Sequence, residues 1–562
     1  MATTPSIDFT PHMSPYRAFN CFRVILLSLV AWGAAAGLAV GSEPVAVLRI
    51  ASVNRLVSDV DALSEKTSRP EIARFVKALM AIANNLDGLD QERCCCVEFL
   101  VPEVQGDQPS FRIALPLTSP DAFRAPVQRL GLEFYEEGSS LRLRKRGEGE
   151  GKHPFVRFDD DHVLVSPTET AFDAPLMTPL EVVEGPDLLL TFDATRIPRG
   201  LKEKLREKLH TDSEVDQRRR LGESEADHAL RVEVLQFAER CVALFIEETT
   251  SIEVALDFIP EGNEDAPVAM VLSTRWKTLT AGTIAQQLQH LATEQNFFSA
   301  STASPAALRV HASTQMPPRV CDLLAQVANR AREAVKKELE KATPQQRDVV
   351  LGLFEAFDQS LESQHAEVML EFVPTESDMA LLAGVHIKGA ERLNDAMQVL
   401  LPEAEKSDGI ERVNLNAATV NGVPLHRVHS RDRNLIEQSL YGKDSTLYVG
   451  AGGNALWIAV GHDKLQNEVR ERIMAAATES DRSAVIGSIE LHVRPWLPYL
   501  EKIGRDPQFV DALKTAFTDE QHDAIHATVQ VEPDGLSSQI TFDEPFLQLI
   551  ATAITGRMKA RR

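Results

Sequence analysis

The chain has 562 residues, 44% of them hydrophobic and 25% charged, with a net charge of −23. That composition belongs to a globular chain, not a disordered or fibrous one, and the length suits about three to four domains. The acidic balance disfavours nucleic acid, whose binding rests on Lys and Arg neutralising phosphates, and disfavours broad docking on an anionic membrane surface.

The first segment reads as an export signal. Arg17 and Arg23 flank the start of an apolar run at 24–40, and Ala39, Gly41 and Ser42 close it with small residues. A charged start, an apolar centre and a small-residue exit are what a signal peptide requires. Cleavage after Gly41 or Ser42 is the expectation. Left uncleaved, residues 24–40 would attach the chain to a membrane, since their length is at the lower edge for a spanning helix. The expected location is periplasmic, extracellular or anchored at an inner membrane.

Four repeats follow, each built as strand, helices, strand, return strand and closing helix. The first, near 45–130, opens with a strand at 45–50. A helix over 69–85 carries Ile72, Phe75, Val76, Leu79 and Ile82 on one face. A strand around Phe99 turns at Gly106-Asp107 and returns at 111–115. Ser119-Pro120 then caps a helix to Leu130. A β-rich insert near 131–172 places strands at 141–144, 155–158 and 162–165 around the turn Asp159-Asp160-Asp161.

The second repeat, near 187–291, has a strand at 188–192, a charged helix at 201–221 and a long helix at 225–247. Its Phe258 strand turns at 262–265, returns at 268–272 and leads to a helix at 280–291. Residues 301–305 read as a linker. The third repeat, near 306–400, repeats the pattern with helices at 320–341 and 345–361, a Phe372 strand and a return at 381–387. A second insert, near 411–465, folds strands 447–449 and 456–460 around Gly452-Gly453-Asn454. The fourth repeat, near 483–556, closes on a hairpin at Pro533-Asp534-Gly535 and a helix ending at Gly556.

One stretch recurs at matched intervals. Val97-Glu98-Phe99-Leu100-Val101-Pro102 returns as Ala255-Leu256-Asp257-Phe258-Ile259-Pro260, as Met369-Leu370-Glu371-Phe372-Val373-Pro374 and, more faintly, as Thr528-Val529-Gln530-Val531-Glu532-Pro533. Pro102 to Pro374 spans 272 residues and Pro260 to Pro533 spans 273. These intervals indicate a duplication: residues 43–300 form one half and residues 306–562 the other. The expected fold is α+β, with a mainly antiparallel sheet and helices on one face. Strand alternation puts Glu98, Asp257 and Glu371 opposite their neighbouring Phe. The expectation is that Phe is buried and the acid presented.

No catalytic motif emerges. Gly147 to Lys152 lacks the spacing and the Ser or Thr of a phosphate loop. Gly450 to Asn454 precedes a strand, so it is a hairpin turn and not a dinucleotide fingerprint. The acidic turn 159–161 lacks the alternation of a calcium loop. Arg142 to Arg146 and Arg218 to Arg220 read as solvated basic faces.

The richest histidine set is His386, His426, His429 and His462, with Asp463 adjacent. His426 and His429 lie three apart on a strand and face opposite sides, which argues against a shared metal. Of the cysteines, Cys94, Cys95, Cys96, Cys241 and Cys321 read mostly as small buried side chains. A disulfide from the first three to Cys241 or Cys321 is an open alternative. No cofactor or metal is expected.

The layout resembles exported bacterial proteins with tandem αβ units, a resemblance that implies no activity. The expectation is a non-enzymatic binding or scaffold protein of the cell envelope, whose partner is an envelope protein or an apolar ligand. The alternative is a hydrolase with its site in a cleft between the halves. Convergence of His386, His426 or His462 on a carboxylate would favour the hydrolase, and a smooth apolar groove the binder.

Overall fold

A computed structural model describes residues 43–549 apart from internal stretches, the longest being 102–109, 259–267, 299–305 and 477–483. The export segment 1–42, the linker 301–305, the turns at 106–107 and 262–265, Pro102, Pro260, His462, Asp463 and Gly556 lie outside the described residues. Among the described residues the chain is α+β and its strand pairings are antiparallel. It divides into two compact units. One takes the described residues to 54 with 78–184 and 190–201, and the other takes 55–77, 185–189 and the described residues from 202.

The first unit is built on β1 (Pro44–Ile50), β2 (Cys95–Leu100), β3 (Ser110–Pro116), β4 (Leu132–Glu137), β5 (Ser140–Lys145), β6 (Phe155–Phe158) and β7 (His162–Ser166). Their pairing order is β1–β2–β3–β7–β6–β5–β4. The Ser119 hydroxyl accepts from the Ala122 amide and caps the helix Pro120–Arg129, as the Ser-Pro signal implies. That helix places Phe123 and Val127 in a core with Leu89, Leu117, Val156 and Val163. Leu132–Glu137 is a strand the composition did not announce, because its alternation of Leu, Phe and Glu is only three residues deep.

β8 (Leu188–Asp193) is divided between the two units. The second unit holds β9 (Thr249–Phe258), β10 (Val268–Thr278), β11 (Leu308–Gln315), β12 (His365–Pro374) and β13 (Met379–His386). It continues with β14 (Ile410–Val420), β15 (Val423–Ser430), β16 (Thr446–Gly452), β17 (Ala455–Gly461), β18 (Val485–His492), β19 (Ala524–Glu532) and β20 (Gly535–Asp543). The order runs β9–β10–β20–β19–β18–β11–β12–β13–β17–β16–β15–β14. Its densest core gathers Trp457, Leu382, Tyr448 and Phe298, with the Phe298 ring edge-on to Trp457 at 5.3 Å. Gly384 makes room for that contact: a Cβ there would sit 2.7 Å from the Phe298 ring.

Two expectations are corrected. Helices do not keep to one face. Arg472, from the helix Leu465–Ala476, donates to Glu371 on one side of the sheet. His426, whose neighbour Arg427 shares the Glu371 side through the register Arg427–Tyr448–Ala459–Leu382–Glu371, bonds Asn394 of the helix Ala390–Ala404 on the other.

The repeated acid is buried in two of its three copies. Glu98 and Glu371 are fully enclosed while Phe99 is 40% exposed, whereas Asp257, Phe258 and Phe372 are all half-buried. The cause is a guanidinium in register: Arg112 lies opposite Glu98 and Arg309 opposite Glu371. A paired carboxylate tolerates burial that an isolated one does not.

Cys94, Cys95, Cys96, Cys241 and Cys321 are all free thiols, so none forms the disulfide left open above. Burial pushes the Cys95 and Cys96 thiols up, to about 11 and about 12, which keeps them protonated. Cys241 is exposed, unlike the other four.

Candidate binding faces of the central sheet

From β9 to β12 in the pairing order, the strands of the second unit put mostly polar residues on one face and mostly apolar residues on the other. On the polar face a single cross-strand row reads Glu371, Arg309, Glu490 and His526 on β12, β11, β18 and β19. Glu371 accepts from Arg309 Nε at 2.9 Å and from Arg472 Nε at 2.8 Å. Arg309 Nη1 donates to Glu490 at 2.6 Å. His492 bridges onward, with Nδ1 2.7 Å from Asp523 and Nε2 3.2 Å from Glu490. The two carboxylates hold the His492 imidazole well above its ordinary range, at about 9.

That shift sets a pH dependence. Raised from 6.5, His492 contributes stability that is fully present below pH 6.5 and lost as pH rises through about 9. The imidazole is 27% exposed, so solvent trims the contribution to on the order of 2 kcal/mol. Chemical denaturation at pH 6 and at pH 9.5 measures it. The expected loss across that interval is absent in His492→Gln.

One turn further along the same face sits a carboxylate with histidines. Glu367 is enclosed and accepts four hydrogen bonds. Oε1 receives His311 Nε2 at 2.9 Å and the Phe298 amide at 2.8 Å, and Oε2 receives His365 Nε2 at 2.9 Å and the Phe297 amide at 2.7 Å. His386 lies against His365, ring centres 4.8 Å apart and planes tilted by 47°, with its Nδ1 buried and without a hydrogen-bond partner among the described residues. Burial, and then the field of His365, lowers its affinity for a proton.

So of the four sequence candidates His386 joins a carboxylate cluster. His426 lies apart on the other face, where Nδ1 accepts from the Asn416 amide and Nε2 donates to Asn394. His429 is on the same strand, β15, and is half-buried. His311 and His365 were missed, because only the strand register brings them together.

The Glu367 cluster is a structural clamp. All acceptor positions facing its neighbours are filled, and two of its donors are the backbone of Phe297 and Phe298, which plug the Trp457 core. A general acid or base needs a free lone pair and access to substrate, and Glu367 offers neither. Ser313, directly opposite in register, is equally enclosed. No group of His, Cys, Asp or Glu among the described residues is arranged to hold a metal ion. In the first unit, Asp161 pairs with Arg93 and His162, and Asp159 with Arg157, so two of the three acids of the turn are held by neighbouring side chains. Glu98 is likewise clasped by Arg112 and by the Thr178 amide and hydroxyl.

On β9, β10, β20 and β19 the polar face sinks into a cavity of 280 Å³. Its floor carries Ser273, Arg275, Gln530, Glu532 and Ser537. The opposite face is apolar. Its central row, strand by strand from β9 to β12, is Leu256, Leu272, Ile540, Ala527, Ile489, Val310 and Leu370.

A second row on the apolar face runs Phe258, Met270, Phe542, Ile525, Leu491, Leu308 and Phe372. A third includes Val254, Val529, Ala312 and Val368, and its Thr274 and Ser538 hydroxyls bond each other at 2.6 Å. None of the central row is buried, and Ile489, Val529 and Val368 are 46%, 36% and 42% exposed. The ends are walled. Trp496 and Phe546 stand against Phe372 and Phe542, and the helix Thr283–Leu291 packs with Trp276 and Leu536. The result is a groove with an aliphatic floor.

No family model, no curated protein and no solved structure matches the chain.

Proposed function

We propose that this chain is an exported, non-catalytic binding protein of the cell envelope, made of two duplicated halves and carrying an apolar ligand in the groove of its second unit. The observation that carries the reading is the open floor of three in-register rows. At strand spacings of about 4.8 Å and same-face steps of about 6.8 Å, the floor measures roughly 30 by 14 Å, or about 400 Å². A partly exposed apolar patch of about that size is comparable to the largest patch on a typical monomer, which is often functional. It falls short of the roughly 800 Å² per partner that a stable protein interface buries.

The composition points the same way. The three rows hold no Trp, Tyr or Arg, the residues that anchor protein interfaces. Their two neighbouring hydroxyls satisfy each other. An aliphatic chain, such as the acyl tail of a lipid, suits such a floor.

Duplication is supported by the pairing orders. β1–β2–β3–β7–β6–β5–β4 of the first half has the same connectivity as β11–β12–β13–β17–β16–β15–β14 of the second. Glu98 and Glu371 hold equivalent places, though one takes its guanidinium from the following strand and the other from the preceding strand. Export rests on Arg17, Arg23 and the run 24–40. The hydrolase alternative loses its best candidate in Glu367, whose lone pairs are taken.

Titration with a dansylated fatty acid tests the groove. The expected result is a blue-shifted rise in emission, a Kd of about 1–10 µM and at least tenfold weaker binding in Ile489→Glu. Ile489 is 46% exposed, so the variant keeps its fold. No uptake by the wild type, or equal uptake by the variant, would contradict the reading.

A further inference from the structure

We propose that the 280 Å³ cavity on the polar face is a second, separate site, which binds a short zwitterionic peptide with its carboxylate on Arg275 and its ammonium on Glu532. Apart from Leu189 and Ala255 the cavity is lined by hydroxyls, amides and charges of both signs, a setting that suits a polar ligand over an apolar one. Two of the lining groups keep unused capacity. Arg275 is exposed and has no hydrogen-bond or ion-pair partner among the described residues, which leaves its planar fork of donors open to a bidentate carboxylate.

Glu532 uses one oxygen: Oε1 accepts from Gln530 Nε2 and from the Ser537 hydroxyl, each at 2.8 Å. Those two bonds and the field of Arg275 hold its carboxyl below the usual range, so it stands ionised. Its Oε2 has no partner among the described residues. The other charges of the floor are already committed, since Glu253 pairs with Lys277 at 3.5 Å.

Spacing selects the ligand length. Arg275 lies opposite Ser537 on β20, which lies opposite Gln530 on β19, and Glu532 is two residues further along. Two strand spacings and one same-face step put the two Cα atoms roughly 12 Å apart, and both side chains line the cavity between. An extended dipeptide spans about 7 Å from ammonium to carboxylate, which fits between them, whereas a free amino acid would reach only one pole. The hydroxyls of Ser273 and Thr528 and the amide of Gln539 remain to meet the peptide bond.

Calorimetric titration of the full chain at low salt decides this, with dialanine, N-acetyl-dialanine and cellobiose as probes. The expected result is saturable binding of dialanine, weakened at least tenfold by Arg275→Ala. N-acetylation, which removes the ammonium, weakens binding to the wild type but not further to Glu532→Gln. Ile489→Glu leaves dialanine binding unchanged, so failure of the groove and failure of this site are distinguishable. The proposal is overturned if dialanine gives no heat up to about 10 mM, if Arg275→Ala binds as well as wild type, or if cellobiose binds as tightly as dialanine.

Discussion

Glu371→Ala is expected to destabilise the second unit by about 3–5 kcal/mol. The carboxylate is fully enclosed and sits between two guanidinium groups, Arg309 and Arg472. Arg309 keeps Glu490, which is 30% exposed and partly solvated. Arg472 is only 5% exposed, and the variant removes the enclosed carboxylate its Nε binds. Taking one partner from a buried ion pair costs more than the lost bonds alone. Urea denaturation followed by tryptophan fluorescence measures it, since Trp457 and Trp496 both report on this unit. The double variant Glu371→Leu with Arg472→Leu removes both charges, and recovery of more than half the loss is expected. A loss below about 1 kcal/mol in the single variant would contradict the account.

The second large effect lies at Glu367. Burial alone would push its carboxyl up, but His311, His365 and the amides of Phe298 and Phe297 outweigh burial and hold it at about 2. A carboxyl depressed from 4.5 contributes stability that is present above pH 4.5 and lost as pH falls through about 2. The contribution is on the order of 3 kcal/mol. Glu367→Gln removes the titration while keeping the shape, so its acid limb between pH 4.5 and 2 is flatter than that of the wild type. Parallel acid limbs would contradict the four-donor clamp. The same variant loosens Phe297 and Phe298, which places Phe298 poorly against Trp457.

The architecture was legible where local pattern and tertiary contact agree. Pro-ended strands, the Ser119-Pro120 cap and hairpin turns such as Pro533-Asp534-Gly535 name their own structure, and the described strands pair antiparallel as expected. The assignment of faces was not legible from alternation. Val97, Phe99 and Val101 form the apolar stripe of their strand, yet the opposite stripe is the enclosed one, because Arg112 in register with Glu98 turns two charges into one buried pair. Sequence distance hides such a partner.

The histidine cluster shows the same limit. His311 and His365 lie on separate strands, and only the diagonal of β11 and β12 brings both to Glu367. A signal did exist in β12 alone: His365, Glu367, Met369 and Glu371 alternate along it, which marks one strand face as polar and dense in charge. The groove left no signal in any single strand. Leu256, Ile489 and Leu370 each read as ordinary core, and what sets them apart is that none of them is fully buried among the described residues. The amphipathic helix Val53–Lys66 was readable, with Leu56, Val60 and Leu63 on one side, and went unremarked beside the stronger strand before it.

The two faces of one sheet divide the chemistry between them. The polar side spends most of its charge on itself, through Glu371, Glu490 and Glu367, and leaves Arg275 and Glu532 open. The apolar side leaves its central row partly exposed between walled ends, Ile489 most of all. The proposed binding role draws on both faces: charged groups held in hydrogen bonds on one, an aliphatic row on the other.

The most direct measurement is mass spectrometry of the organic extract from the chain purified without detergent, set beside the extract of Ile489→Glu. An acyl-bearing species near one per chain in the wild type, reduced at least tenfold in the variant, is the result expected of an apolar-ligand carrier. Extracts with no such species, from a wild-type chain that also fails to take up the dansylated fatty acid, would contradict it.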